Sequence, residues 1–439
     1  MSETKIPKRI ATVVINALKG GVVPRVGLSY ITVGRKAEID ALLADVDIVE
    51  DGGASFRFIE GRYGAGKSFL LQAFRNYVMD RGFVVMDADL SPERKLHGGG
   101  GAGLATYREL ISKMSTKTRP EGGALALVLD RWAASTEQRA QEAGSDPTSA
   151  GFAAECRRIA VADLAPLNDL VRGIDFSRVI LGYYDARRSE NDEIQTRVLK
   201  WLRAEYSTRT ESKREIGVNL IITDEDWYEY VKLFAVFLKC AGYAGLMMMV
   251  DELVNIYKIV NRISRENNYE KILTMYNDAL QGKAKWLGII MCGTPECIED
   301  TRRGVFSYEA LRSRLNEGRF AKDGRSDMLA PVIKLSPLTY EEMTVLVEKL
   351  ADIHAALYGY QKILTENDLI VFIKTEYSRI GADSHITPRE VIRDFIELLD
   401  IMYQHPDSTV QELLGSENFK FAKPEQEAND SDSMPEFEL

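Results

Sequence analysis

The sequence predicts an α/β fold with a parallel sheet, a large helical insertion and a helical C-terminal part. Three observations predict it: a glycine-rich loop between a strand and a helix at residues 61–68, an apolar strand that ends in Asp251 and Glu252, and helical periodicity from residue 338 onward. A strand, a crossover helix and a second strand form the unit from which parallel sheets are built.

The composition is that of a folded protein without a globally basic surface. The chain has 439 residues, of which 45% are hydrophobic and 28% charged, and its formal net charge is −10. This length suits about three domains and a large core. The acidic balance argues against one basic nucleic-acid surface over the whole molecule, but leaves a local basic groove open.

Membrane insertion and secretion are not expected. No apolar run reaches the ~18 residues that a membrane span needs, and the N-terminus lacks the apolar core of a signal peptide. The four cysteines contain no C-x-x-C pair, and only four histidines are present. We therefore expect no zinc site and a reducing cytoplasmic location.

Residues 61–68 read GRYGAGKS and match G-x-x-x-x-G-K-[ST], a phosphate-binding loop (P-loop). The pattern predicts a strand at residues 55–60 and a helix at residues 69–80, the context that this loop requires. Glycines let backbone N–H groups converge on a phosphate chain, and the helix dipole favours the anion. Lys67 is expected to reach the β and γ phosphates, and Ser68 to hold Mg²⁺. The candidate nucleotide-binding residues are Gly61, Tyr63, Gly64, Ala65, Gly66, Lys67, Ser68 and Phe69.

The apolar run at residues 246–250 ends in two carboxylates, Asp251 and Glu252. Alone, such a run is a weak signal, because an ordinary strand end explains it equally well. Together with a P-loop it predicts the second half of a nucleotide-hydrolysing site, because parallel strands deliver their last residues to one edge of the sheet. Asp251 would hold Mg²⁺, and Glu252 would polarise the attacking water.

A third apolar run, at residues 287–293, ends at Thr294. A hydroxyl in that place is suited to sensing the γ-phosphate or positioning water, and we assign this role to Thr294. The alternative is an ordinary turn residue before Pro295.

Three arginines are candidates for stabilising charge on the transferred phosphoryl group. Arg312 and Arg314 lie on a predicted helix, where an arginine presented across a subunit boundary can act, and the pattern does not choose between them. Arg389 lies on the first turn of a C-terminal helix that begins with the cap Thr387. The alternative for all three is an ordinary surface arginine.

The spacing of these motifs suggests a division of the chain. The interval between Lys67 and Asp251 greatly exceeds the ~30 residues of a minimal βαβ crossover, so a large insertion is expected. The expected parts are an N-terminal lead-in (1–45), an ATPase core (46–90 and 243–337), a mainly helical insertion (91–242), a C-terminal helical lid for which a winged-helix-like form stays open (338–416), and an acidic disordered tail (417–439).

The order of these elements resembles that of AAA+ or STAND-type P-loop ATPases, and within them the Orc/Cdc6-related branch. The resemblance implies that Val33, Gly34 and Arg35 contact the adenine. It also implies that Thr294 is the sensor 1 residue, that the segment ALRSRL with Arg312 and Arg314 supplies an arginine finger, and that Arg389 is the sensor 2 residue.

A closer resemblance is to BREX-system ATP-binding proteins of the BrxD type. It is carried by GVVP…VGR, by RFIEGRYGAGKSFLL and by TPREVIRDFIELL, and it extends over roughly residues 10 to 403. It implies a cytoplasmic, Mg²⁺-dependent ATPase in antiviral defence, with other defence-system proteins such as a helicase as partners and with DNA nearby.

Two functions stay open on the residues. The first is an ATP-hydrolysing homo-oligomer that acts as a motor or loader on DNA, with Arg312 or Arg314 acting in trans. The second is an ATP-dependent switch or scaffold, with slow or partner-stimulated turnover, that recruits proteins and binds little DNA itself. A small-molecule kinase is a weaker third hypothesis, since the Asp251–Glu252 pair and the helical C-terminal part do not favour it.

Overall fold

The computed structural model describes residues 6–315, 327–362, 364–378 and 387–415. The acidic segment 417–439, which the sequence predicts to be a disordered tail, lies outside these ranges. The strands are β1 Ala54–Glu60, β2 Val84–Asp89, β3 Leu246–Asp251, β4 Leu287–Gly293 and β5 Val332–Lys334. The helices are α1 Lys8–Lys19, α2 Leu28–Ile31, α3 Lys36–Glu50, α4 Lys67–Asp80, α5 Ala102–Ser112, α6 Leu125–Glu142, α7 Phe152–Leu164, α8 Gly173–Arg188, α9 Asp192–Leu202, α10 Arg209–Ile216, α11 Trp227–Cys240, α12 Val254–Tyr257, α13 Arg262–Leu280, α14 Pro295–Glu299, α15 Glu309–Leu315, α16 Tyr340–Tyr358, α17 Glu366–Tyr377, α18 Pro388–Gln404 and α19 Val410–Gly415.

The described residues divide into two compact units. Unit 1 takes its residues from Met1–Glu38, Gly61–Ala73 and Lys334–Leu439, and unit 2 takes its residues from Ile39–Glu60 and Phe74–Ile333. Each unit has its own hydrophobic core. The domain boundaries suggested by the sequence remain a prediction.

The strands form one sheet in the order β2-β3-β4-β1-β5, and the pairs β2–β3, β3–β4 and β4–β1 are parallel. The expected α/β fold with a parallel sheet is thus confirmed. Every residue of β3 and β4 is buried, as is usual for central strands covered on both faces. The methionines of β3 fill this core, and Gly288 on β4 leaves room for one of them. A Cβ atom at Gly288 would lie 2.4 Å from Cε of Met247.

The register of the sheet brings the carboxyl ends of three strands to one edge. Ile59 pairs with Cys292 and Glu60 with Gly293 across β1 and β4, while Val250 pairs with Met291 across β3 and β4. Asp251 therefore lies level with the last residues of β1 and β4. The P-loop follows β1 directly in the chain.

Between β2 and β3 the chain forms the helices α5 to α11. Helix α11 is apolar on nearly all sides, and its buried residues include Trp227, Phe234 and Phe237. An all-round apolar helix must lie inside a fold. It packs against α5, α7, α8 and β3, so it forms the centre of this helical region.

The start of α11 differs from the prediction. The sequence suggests a capping box that begins at Thr223, but the helix begins at Trp227, after Asp226. The Thr223 hydroxyl donates instead to the Asp226 carboxylate, at 2.9 Å. Asp224 turns to a distant segment, where its carboxylate accepts N–H bonds from Gly98 at 3.0 Å and from Gly103 at 2.7 Å.

These bonds change the interpretation of the glycine run at residues 98–103. The sequence suggests a flexible loop, yet Asp224 fixes both of its ends and caps α5. Gly103 is also required sterically, since a Cβ atom there would lie 2.7 Å from the Leu96 carbonyl oxygen. Sequence periodicity did not reveal this because Asp224 and Gly103 are far apart in the chain.

In unit 1, helix α1 packs against α16 and α18, and α17 packs against α16 and α19. The core of this bundle includes Val347, Phe372 and Phe395, all fully buried. Three helices of unit 1 begin with the capping boxes that their sequences predict. The carboxylate of Glu342, Asp368 or Glu390 accepts the N–H of the threonine three positions earlier (Thr339, Thr365 or Thr387), at 2.8 to 2.9 Å. Within the described ranges, no helix is both long and apolar enough to cross a bilayer.

A buried histidine gives the bundle of unit 1 a predicted pH dependence. His354 has no exposed surface, and its ring nitrogens lie 2.8 Å from the Tyr360 hydroxyl and 3.2 Å from the Asp400 carboxylate. Burial lowers the pKa of His354 below its ordinary value of 6.5, although Asp400 opposes the shift. The unfolded chain therefore binds this proton more readily, so stability is full above about pH 6.5 and falls as the pH drops below it.

Thermal denaturation between about pH 5 and 7.5 measures this effect. We expect His354→Phe to flatten the slope of melting temperature against pH, whatever its effect on absolute stability. The exposed His405 supplies the matched variant, since His405→Phe should leave the slope unchanged. Equal slopes in the wild type and the His354→Phe variant would show that another group governs acid sensitivity.

Candidate functional site

The predicted P-loop has the backbone conformation that its motif demands. Gly64 and Gly66 have φ angles of +75° and +96°, which side-chain-bearing residues rarely adopt. At Gly66 an added Cβ atom would meet nothing within 4 Å, so conformation alone requires glycine there. Helix α4 begins at Lys67, and the N–H of Leu70 bonds to the Gly66 carbonyl at 2.9 Å. The loop therefore ends at a helix N-terminus, as phosphate binding requires.

Lys67 is held over the loop itself. Its ammonium donates to the carbonyl oxygens of Gly61 at 2.7 Å and Arg62 at 3.0 Å. These bonds place the positive charge beside the loop glycines. Ser68 is exposed on the first turn of α4, directly after Lys67.

The lead-in segment Val33, Gly34 and Arg35 belongs to the same unit as the P-loop. Arg35 is 5% exposed, and its guanidinium donates to the Ala65 carbonyl at 3.0 Å and the Ser336 carbonyl at 2.8 Å. It also pairs with Glu38 at 3.0 Å. Arg35 thus joins the lead-in, the P-loop and the segment before α16. Adenine contact by these three residues remains a prediction.

The start of α18 also approaches the P-loop. The Arg389 guanidinium lies 5.0 Å from the centre of the Tyr63 ring, within the range of a cation–π contact. A Cβ atom at Gly64 would lie 2.8 Å from Oγ1 of Thr387. Thus Gly64 is required both by its φ angle and by the close approach of Thr387. The structure places the proposed sensor 2 arginine against a P-loop side chain of unit 1.

In unit 2, β3 ends in a carboxylate pair whose second member, Glu252, has a strained backbone. Asp251 is 9% exposed, and Glu252 has a φ angle of +63°, which is uncommon for any residue except glycine. The N–H of Glu252 donates to Oδ1 of Asp251 at 2.8 Å. Strain of this kind costs about 1–3 kcal/mol and tends to cluster at functional sites.

Two neighbours brace this turn. The N–H of Leu253 donates to the Cys292 carbonyl of β4 at 3.1 Å. The Asn255 side chain donates to the Leu90 carbonyl at 2.9 Å and to the Glu252 carbonyl at 3.3 Å. Glu252 is thereby held between the ends of β2 and β4. Sequence reasoning missed Asn255, because only its position in space connects it with Leu90.

Thr294 lies directly after β4 and is half-buried, at the N-cap of α14. Its side chain makes no capping bond, although Thr294 accepts the Cys297 thiol at its carbonyl oxygen, at 3.1 Å. The hydroxyl therefore does not serve the helix start. Its role as sensor 1 remains a prediction.

The two candidate finger residues lie on the surface of α15. Arg312 pairs with Glu309 one helical turn earlier, and Arg314 donates to the Ala310 carbonyl at 2.6 Å. Both contacts are local and exposed, so they hold neither side chain firmly. A role of either arginine across a subunit boundary remains a prediction.

The residues present fit a nucleotide and its metal ion. The loop supplies backbone donors, a helix N-terminus and an ammonium group, while Asp251 and Ser68 are oxygen ligands of the kind that Mg²⁺ accepts. Mg²⁺ usually completes its sphere with phosphate oxygens and water, so a cage of protein ligands is not needed. Among the described residues, no group of three or more His, Cys, Asp or Glu side chains is arranged to hold a metal.

Comparison with known proteins gives one assignment. A search of curated proteins found no match to the chain. The family model described as BREX system ATP-binding protein BrxC/D matches residues 6–418, which include the P-loop, the acidic pair and the helices of the C-terminal part. Because the match covers nearly the whole chain, the protein belongs to the BrxC/D family of BREX system ATP-binding proteins.

Proposed function

We propose that this protein binds ATP with Mg²⁺ at the P-loop and hydrolyses it with Glu252 as the residue that activates water. The single observation that carries the proposal is the conjunction in the sheet: β1, which runs into the P-loop, pairs with β4, which pairs with β3, whose last residue is Asp251. If the glycine-rich loop were an ordinary turn, there would be no reason for the acidic pair to lie level with the end of β1. Family membership supports the ATP-binding part.

In this proposal each residue has a distinct task. Lys67 and the loop N–H groups hold the phosphate oxygens, and Ser68 and Asp251 hold the metal ion. When bound, Mg²⁺ neutralises charge on the phosphates. Glu252 accepts a hydrogen bond from the attacking water and orients it. Thr294 would hold that water or sense the terminal phosphate.

The held conformation of Glu252 is suited to this task. A carboxylate fixed at a strand end by Leu253 and Asn255 loses little freedom when it orients a water molecule. In this proposal the φ angle of +63° at Glu252 is backbone strain that the surrounding hydrogen bonds maintain. Arg389 would supply positive charge from α18, although it meets Tyr63 in the structure described here.

A second function is favoured by the contact between Arg389 and Tyr63. Since a side chain of α18 lies against the P-loop, a nucleotide bound there would directly change the contacts of the C-terminal helices. The protein would then act as an ATP-dependent switch that recruits other proteins of the BREX defence system, with slow turnover. The other function left open by the sequence is a motor or loader that acts on DNA as a homo-oligomer. In that case an arginine of α15 from a neighbouring subunit would complete the ATPase site.

Nucleotide binding and phosphate release by the full chain test the proposal. We expect a fluorescent ATP analogue to bind, unlabelled ATP to displace it, and phosphate release to stop when Mg²⁺ is chelated. Turnover that rises with duplex DNA, together with ATP-dependent oligomers seen by mass measurement, would favour the motor. A monomer with ATP-dependent capture of BREX proteins would favour the switch, and failure to bind any nucleotide would overturn both.

A further inference from the structure

A solvent-exposed aliphatic pair lies on unit 2, close in the chain to the acidic pair. Val260 is 88% exposed and Ile263 is 69% exposed. They belong to the segment between α12 and the first turn of α13, residues 258–263, which we call the tip. Isolated exposed apolar residues are common, whereas two in one short segment form a small exposed apolar patch.

The backbone of the tip is fixed. Arg265 is 6% exposed, and its guanidinium donates to the Ile259 carbonyl at 2.7 Å. Asn261 caps α13 by accepting the Ser264 N–H at 2.9 Å. The two aliphatic side chains are therefore presented from a braced segment, which reduces the entropy cost of binding a partner.

A second segment adds positive charge beside the tip. The Arg303 guanidinium lies 5.4 Å from the centre of the Tyr257 ring and donates to the Tyr257 carbonyl at 3.2 Å. The Tyr257 hydroxyl donates to Asp300 at 3.0 Å. These contacts hold residues 300–303 against the base of the tip, so Arg302 and Lys258 come from touching segments.

The tip and the segment beside it carry more basic than acidic side chains. Residues 257–266 and 300–303 contain five basic and two acidic side chains, and the neighbouring α14 adds the exposed Glu296 and Glu299, in a chain with a net charge of −10. Glu266 is paired with Arg262, and Asp300 accepts bonds from Tyr257 and from the Arg302 N–H. Within the described residues, the side chains of Lys258 and Arg302 form no ion pair with a carboxylate.

We propose that the tip is a contact site for duplex DNA, with Lys258 and Arg302 on the phosphates and with Val260 and Ile263 against the sugars and the groove. This inference rests on the proposed function and names the surface through which DNA reaches the ATPase. Cations around an aliphatic wedge are the chemistry by which proteins bind the minor groove without reading sequence. So small an aliphatic area would contribute little to a stable contact with a protein.

The tip is also connected to the acidic pair. Helix α12 begins two residues after Glu252, and the tip follows α12 directly. Asn255 on α12 bonds to the Glu252 carbonyl. DNA bound at the tip would therefore contact the segment that continues α12, the helix that braces Glu252. We expect bound DNA to stimulate ATP hydrolysis.

Binding of a fluorescein-labelled duplex of mixed sequence to the full chain, followed by anisotropy over a range of salt concentrations, tests the site. We expect the charge reversal Lys258→Glu/Arg302→Glu to weaken binding about tenfold or more, and to reduce the slope of log affinity against log salt by about 2, since each lost phosphate contact removes about 0.9. Val260→Ser/Ile263→Ser should weaken binding about fivefold with an unchanged slope, because it removes apolar contact and not charge.

Lys213→Glu is the control for a charge reversal on another element, since Lys213 is exposed on α10. The proposal would be overturned if both tip variants bound DNA with the same affinity as this control. That holds both if the wild type binds DNA at another site and if it does not bind DNA. Both tip variants should bind the ATP analogue like the wild type. Loss of DNA binding with ATP binding intact supports the tip, whereas absence of ATP binding in the wild type refutes the ATPase proposal separately.

Discussion

Replacing Glu252 by glutamine is expected to preserve ATP binding and to lower phosphate release by about 10²–10⁴-fold, the usual contribution of a positioned general base. Glutamine keeps the shape and polarity of the side chain, so the turn after β3 should be retained. It cannot accept a proton from water at neutral pH. Single-turnover phosphate release, with ATP affinity measured in parallel, separates the chemical step from binding.

Glu190 offers a close control for this variant. It is an exposed glutamate in the helical region of unit 2, and its φ angle of +53° resembles that of Glu252. Glu190→Gln should leave both binding and turnover unchanged. Undiminished hydrolysis in Glu252→Gln would refute the assignment of Glu252 and direct attention to another water-activating group.

The strain at Glu252 adds a second readout. Glycine adopts a positive φ angle freely, so Glu252→Gly should raise the free energy of unfolding by up to about 1 kcal/mol relative to Glu252→Ala, while both lose turnover. Denaturant unfolding of the two variants measures this difference. Such a result would show that the chain retains a strained carboxylate at a cost in stability.

Replacing Lys67 by alanine is expected to weaken ATP binding by about 10- to 100-fold. A hydrogen bond to a charged group contributes about 1.5–3 kcal/mol, and each 1.4 kcal/mol corresponds to a tenfold change in affinity. Among the described residues the ammonium donates to two carbonyl oxygens of its own loop, so the fold should tolerate the change. Titration calorimetry with ATP gives the affinity directly.

Lys213→Ala serves as the control for removal of an exposed charge, and a thermal melt confirms that each variant is folded. We expect an unchanged melting temperature for Lys67→Ala within about 2 °C, since the lost bonds are partly solvated. Unaltered ATP affinity would show that the nucleotide binds elsewhere in this family member.

Local chemistry explains why much of the fold was predictable. The P-loop, the strand that ends in Asp251 and the capping boxes at Thr339, Thr365 and Thr387 each depend on residues within a few positions of one another. Burial on both faces makes a central strand a continuous apolar run, which is visible in the letters of β3 and β4. The start of α11 was misplaced because Asp224 bonds to a distant loop and not to its own helix.

The contacts around the candidate site were harder to predict from the sequence. Arg35 joins Ala65, which is 30 positions away, to Ser336, which is 301 positions away, and no local pattern indicates such a bond. The contact of Arg389 with Tyr63 and the brace that Asn255 provides for Glu252 are of the same kind. The positive φ angle of Glu252 likewise has no signal in the sequence, because a glutamate there is held only by its surroundings.

The sequence by itself determined the class of sheet, the phosphate-binding loop, the acidic pair and the family resemblance, since each resides in a short run of residues with a fixed chemical requirement. Only the tertiary structure decided the strand order that brings Asp251 level with the end of β1, the bonds that strain Glu252, and the braced tip at residues 258–263. These features depend on which distant segments meet, and that is settled by the packing of whole elements against a shared core.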